Sequence, residues 1–174
     1  MIGFGKVRMV RTVVDGVLQE QEDEAIRRAG YIHLYGVAEM SALLAARRGL
    51  DAVTASVAGM LHDIYTCRTG LRLLHAPSGA EDARVILRDL GVFSQEEQQR
   101  IHSAILRHSD KERVDDPYDE LLKDADVLQH YLHDPTQSFP PATARRIRNV
   151  TAELGLPAVE VRVSETKPTA QAGS

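Results

Sequence analysis

Tryptophan is absent from the 174 residues, aromatic side chains make up only 5%, and cysteine occurs once, at Cys67. One thiol excludes an internal disulfide framework, so the fold must rest on packing, and it suits a reducing compartment. Cys67 itself reads as an inert packed thiol. Few aromatics, with Ala, Leu, Val, Arg and Glu prominent instead, argue against a β-sandwich and for packed helices. Long apolar runs are missing too. The opening MIGFGKVRMVRTVVDGVLQE carries charges throughout, which reads as neither a signal peptide nor a membrane span, and a cytoplasmic location is expected. The formal net charge is −4 and no basic block stands out. That argues against binding a nucleic acid polymer and leaves a nucleotide open as substrate. There is no Gly-rich phosphate loop, nucleophile elbow, HExxH or zinc-ribbon spacing. Neither an internal repeat nor a Gly/Ser linker argues for a second domain.

What the chain does have is apolar periodicity, within a 43% hydrophobic composition sufficient for a core. Val7, Val10, Val13, Val14, Val17 and Leu18 form one stripe on an opening helix over residues 6–20, which packs either on the domain or on a second copy in a homodimer. Ile32, Tyr35, Val37, Met40, Leu43 and Leu44 continue a helical pattern that stops at Arg47, Arg48 and Gly49. Asp51 caps AVTASVAGMLHDI, apolar nearly all round and therefore the buried central helix. The turn-like YTCRTG leads to a helix around GAEDARVILRDL, ended by Gly91, and Ser94 caps the next one. SDKERVDDPYD reads as a loop before DELLKDADVLQHYL, and Pro140 and Pro141 open a last helix reaching about Leu154. The expectation is an all-α single domain of six to seven helices. An N-terminal helix within residues 1–25 packs on a body of residues 26–155, and a disordered polar tail covers 156–174.

The chemistry concentrates in LLHDIY. His62 and Asp63 close a helix too apolar to hold them without partners, and a divalent metal supplies one, since it binds imidazole and carboxylate together and cancels the charge. Further ligands must come from other helices, where YIHLYG offers His33 and KDADVL offers Asp124 and Asp126. These two aspartates point about 200° apart on a helix, so only one of them faces a given ion. His102 and His108 are separated by about 240° in the same way. Taken singly, a helical histidine is more often an ordinary core or surface residue.

The combination of HLYGVAEMSALLA, VAGMLHDIY, HAPSGAEDARVIL, AILRHSD and LLKDADVLQ resembles the HD superfamily of metal-dependent phosphohydrolases over about residues 30 to 135. The resemblance implies an HD-type helical bundle in which His33, His62, Asp63 and Asp126 hold a metal, with His62 and Asp63 as catalytic residues. Asp126 is preferred to Asp124 because Ala125, Asp126 and Leu128 fit the family's Ala-Asp-x-Leu. His75 and His108 resemble ligands of a second metal, which Asp63 would bridge. Mn, Fe, Co, Ni or Zn suit this mixed ligation, with Mg also in range, as one ion or two. The implied substrate is a nucleotide or another small phosphorylated metabolite, attacked by metal-activated water. Arg68 and Lys111 are the nearest cations for its phosphate. His102, His130 and His133 read as surface or packing residues, and Glu39 as a surface charge. Two alternatives share the scaffold: a di-iron oxygenase and a non-catalytic nucleotide-sensing module.

Overall fold

A computed structural model of the chain describes residues 2–164, with side chains from residue 5 onward. In order, the elements are α1 (Ile2–Gln19), α2 (Glu24–Arg48), α3 (Ala52–Leu61), α4 (Ile64–Thr69), α5 (His75–Leu90), α6 (Gln95–Arg107), α7 (Pro117–His133), β1 (Ser138–Phe139), α8 (Pro141–Glu153) and β2 (Arg162–Val163). The expected all-α single domain is what forms. Residues 65–69 of the YTCRTG stretch expected to turn belong instead to the short helix α4.

The helix ends follow local chemistry. Asp23 accepts hydrogen bonds from the Ala25 and Ile26 backbone N–H groups, and Asp51 accepts one from Thr54. Ser94 and Glu97 form a reciprocal capping box at α6. Gly49, Gly70 and Gly91 end α2, α4 and α5 in the left-handed conformation that costs glycine least.

Helix α3 is the centre of the bundle, packed by α1, α2, α6 and α7. From α1 it receives Val10, Val14 and Leu18, all fully buried. The inner face of α2 is Leu34, Val37, Ala38, Ser41, Leu44 and Ala45. Ile32 and Leu43, expected on that stripe, are exposed. The stripe runs instead at i, i+3, i+4 and i+7 from Leu34, the spacing that keeps one helix face against a neighbour.

Two close approaches set the helices around the site. A Cβ on Gly59 would sit 2.7 Å from Ala38 Cα and 2.8 Å from its nitrogen, so α2 and α3 touch backbone to backbone there. A Cβ on Gly36 would sit 2.8 Å from Gln129 Cγ, so α7 slides its glutamine beneath α2.

A second small core lies beyond the bundle, where Val127, Tyr131, Phe139, Ala144, Ile147 and Val161 pack together. Strand β2 pairs in parallel with β1 here, Ser138 with Arg162 and Phe139 with Val163. Residues 156–164 of the polar tail are therefore ordered up to the strand, because Val161 is drawn into apolar contact and the backbone pairs. Residues 165–174 lie outside the described residues. Among those described, no helix is long and apolar enough to cross a membrane.

Gly59→Ala is expected to lower folding stability by about 1–3 kcal/mol, since backbone cannot yield as a side chain does. Gly16→Ala, with open space around its Cβ on α1, is expected to raise it by about 0.5–1 kcal/mol. Urea unfolding of the two variants beside wild type checks both signs.

Candidate metal centre

Five segments bring imidazoles and carboxylates to one point. His33 comes from α2, His62 and Asp63 from the break between α3 and α4, His75 from the first residue of α5, His108 from the end of α6, and Asp126 from the middle of α7. The break is what aims Asp63. Helix α3 ends at Leu61 with His62 as its cap, Asp63 leaves helical geometry at φ −113° and ψ 18°, and its side chain caps nothing. Its carboxylate is thus released inward beside His62.

Each histidine is held by its Nδ1. His62 Nδ1 donates to Gly59 O at 2.8 Å, His108 Nδ1 to Ile105 O at 2.7 Å and His75 Nδ1 to Arg72 O at 2.9 Å. His33 Nδ1 lies 2.9 Å from Gln129 Oε1. A proton on each Nδ1 leaves each Nε2 a bare lone pair, the arrangement in which imidazole binds metal.

These lone pairs converge on the carboxylates. His33 Nε2 and His62 Nε2 are 3.0 Å apart. Asp63 Oδ2 is 3.7 Å from His33 Nε2 and 3.9 Å from His62 Nε2. Asp126 Oδ1 is 3.7 Å and 3.8 Å from the same two nitrogens. On the other side, Asp63 Oδ1 is 3.6 Å from His108 Nε2 and 3.9 Å from His75 Nε2.

Two observations decide whether these residues fit a metal. Donors sharing one ion at about 2.0–2.2 Å stand roughly 3 to 4 Å apart, which these do. Asp63 Oδ1 and Asp126 Oδ1 are also buried with no hydrogen-bond partner, an arrangement that is costly for a carboxylate unless a cation completes it. A proton shared between His33 and His62 would relieve their facing lone pairs but not the orphaned carboxylate oxygens. The donor triplets His33, His62, Asp126 and His62, Asp63, His108 each lie compactly enough to hold an ion.

The electrostatics agree. Burial pushes His62 below the ordinary histidine value and His108 down to about 3, so both are neutral. Burial also opposes ionisation of Asp63 and Asp126, yet their polar neighbours prevail and hold both carboxyls below the usual range, the facing imidazoles of His62 and His33 for Asp63 and the Lys111 ammonium for Asp126. Burial likewise disfavours the His33 cation, but Asp63 and Asp126 outweigh it and raise that pKa.

Of the residues singled out in the sequence, His33, His62, Asp63, His75, His108 and Asp126 therefore meet in one cluster, whereas Asp124, His102 and Arg68 are held elsewhere. Asp124 forms ion pairs with Arg48 at 2.7 Å and Arg146 at 3.0 Å, away from the cluster. His102 pairs with Glu81 at 3.1 Å. Arg68, expected near the phosphate, pairs with Asp82 on α5. Lys111, expected to be free for phosphate, is bonded to Asp126 Oδ2 at 2.7 Å and His108 O at 2.6 Å.

Sequence reasoning missed two residues. His130, read as a surface or packing residue, has its Nε2 3.4 Å from Asp126 Oδ1 and its ring 4.7 Å from that of His33. Gln129 orients His33. Both lie within one turn after Asp126, so the i+3 and i+4 neighbours of a ligand were the available signal. A cavity of about 460 Å³ lined by Leu50, Arg100, Ser103, Tyr118 and Asp119 is separate from this cluster.

Fold and site together define a helical domain built around an inward-facing His/Asp cradle whose donors could hold a metal ion. The family model described as HD domain matches residues 30–131, and the chain belongs to that family, whose members are generally metal-dependent hydrolases. No curated protein and no solved structure matches the chain.

Two buried histidines with depressed pKa values resist charging in the folded state, while the unfolded chain takes up their protons below its ordinary value of 6.5. Their stability contribution is therefore present above that value and lost as pH falls, for His108 down to about 3. Asp63 and Asp126 add a further loss below their ordinary 3.8. His33, with its raised pKa, acts in the opposite direction. Metal-free protein is expected to lose stability on acidification from pH 6.5, and His108→Gln to flatten that slope, as read by chemical denaturation across pH.

Proposed function

We propose that this chain is a phosphohydrolase acting on a nucleotide or another small phosphorylated metabolite, with two divalent ions in the cradle. His33, His62, Asp63 and Asp126 would hold one ion, and Asp63, His75 and His108 the other. The observation that carries this reading is the division of Asp63, whose Oδ2 faces His33 and His62 while its Oδ1 faces His75 and His108.

Divalent ions in such a cradle acidify water for attack on phosphorus and offset charge on the phosphoryl oxygens. The chain's own residues supply the rest. Neutral His62 and His108 keep their lone pairs inward, and the backbone carbonyls of Gly59 and Ile105 hold their rings in place. Two ions, if bound, would together with Lys111 outweigh the two carboxylates, and the site would then match a phosphate dianion. His130 is half-exposed beside Asp126. Mixed imidazole and carboxylate donors favour Mn, Fe, Co, Ni or Zn over Mg. A reducing, cytoplasmic setting suits the lone thiol of Cys67, which burial pushes up to about 11.

Elemental analysis of the purified protein, with p-nitrophenyl phosphoesters and a nucleotide panel assayed under added Mn, Co, Ni, Mg and Zn, tests the reading. His62→Ala and Asp63→Ala are expected to lose both bound metal and turnover, and full activity in either sinks the site assignment. Bound iron with no hydrolysis favours the oxygenase instead. Gln129→Leu, which frees the His33 ring, is expected to cost about 10–100-fold in metal affinity or activity, measured by metal titration beside the same assays.

A further inference from the structure

We infer that Lys111 is a positioning residue that holds one oxygen of Asp126 off the metal, and that Arg146 keeps Lys111 in that pose. This rests on the metal-centre reading above.

The two oxygens of Asp126 are divided. Oδ1 faces His33 Nε2 and His62 Nε2 at 3.7 Å and 3.8 Å, whereas Oδ2 receives the Lys111 ammonium at 2.7 Å. The same ammonium donates to His108 O at 2.6 Å. One cation thus ties a carboxylate of the first donor triplet to the backbone of a histidine in the second.

Lys111 sits in an irregular segment between α6 and α7, and a lysine on a free loop would sample many rotamers. This loop is not free. Arg146 of α8 is nearly buried, and its Nε donates to Lys111 O at 2.8 Å while an Nη donates to Arg113 O at 3.0 Å. Its other Nη pairs with Glu120 at 2.9 Å and Asp124 at 3.0 Å, both on α7. Fully buried Lys123 adds bonds to Arg113 O at 3.0 Å and Asp115 at 2.6 Å. Arg146 lies beyond residues 30–131, so its share of this brace comes from outside the family match.

The consequence follows from charge and valence. A carboxylate with both oxygens free can chelate an ion through two bonds and occupy an extra coordination position. An ammonium on one oxygen prevents that and also repels the ion at close range. Lys111 therefore lowers metal affinity and leaves room at the metal for substrate. A purely structural lysine would do the reverse, because its loss would loosen the site and weaken metal binding.

The test is Co²⁺ titration of wild type, Lys111→Met, Lys111→Arg and Arg146→Gln, followed by visible absorption, thermal melting and turnover. Lys111→Met is expected to bind Co²⁺ about tenfold more tightly or better, to change the Co²⁺ absorption bands, and to turn over more slowly. Lys111→Arg keeps the cation and is expected to restore wild-type affinity. Arg146→Gln is expected to move affinity and absorption in the direction of Lys111→Met by a smaller amount. Unchanged bands with unchanged or weaker Co²⁺ binding in Lys111→Met overturn the inference for Lys111, and a lower melting temperature with wild-type bands in Arg146→Gln overturns it for Arg146. Should Lys111→Met fail to fold, Lys111→Arg beside Arg146→Gln decides the matter by the same bands. A wild-type protein that binds no Co²⁺ refutes the metal-centre reading itself, a result distinct from normal binding with no change in the variants.

Discussion

Two ionised carboxylates buried against neutral imidazoles are the constraint around which this molecule is arranged. Asp63 and Asp126 each keep a buried oxygen without a hydrogen bond, and an apolar bundle tolerates that only when positive charge stands close by. Lys111 supplies part of it from one side. The remainder of the space between the oxygens is bordered by nitrogen lone pairs, which attract a metal cation and offer no proton of their own. The core packing, the helix break and the loop brace all serve to keep these groups at separations of 3.0 to 3.9 Å.

The supporting structure works by removing freedom. Gly59 allows α2 and α3 to touch backbone to backbone, which brings His33 and His62 within reach of one another, and its own carbonyl then holds the His62 ring. Gly36 makes the matching space for Gln129 under α2, so that α7 orients the His33 ring while presenting Asp126. Each glycine acts by the absence of a side chain, the space at Gly59 being filled by the Ala38 backbone and that at Gly36 by Gln129, which bonds the His33 ring. Imidazoles locked in this way lose little entropy on binding an ion.

A charged layer of Arg48, Lys123, Arg146, Asp115, Glu120, Asp124 and Glu153 joins α2, α7 and α8 behind the site. Replacing one partner would strand another in a poorly hydrated place, which makes the layer a determinant of geometry more than of net stability. It explains why Asp124 and Asp126, two residues apart on one helix, have different fates. One faces this layer and the other faces the cradle, as their roughly 200° separation requires.

Much of this was legible in the residues themselves. Helix starts and stops were readable because Asp51, Ser94, Gly49 and Gly91 act on their own neighbours, and His33, His62, Asp63 and Asp126 were readable from the local text around them. The pairing of β2 with β1, the exposed side of Ile32 and Leu43, the proximity of His130 to His33 and the capture of Lys111 by Asp126 were not. Each depends on which helix faces which, and that is decided by packing between segments far apart in the chain. By itself the sequence determined where helices form and which groups are able to bind a metal, since those are matters of local propensity and donor chemistry. Only the tertiary structure decided that Asp63 turns one oxygen to each pair of histidines and that Lys111 claims half of Asp126, because distances between atoms on different helices are fixed by close packing of the whole core.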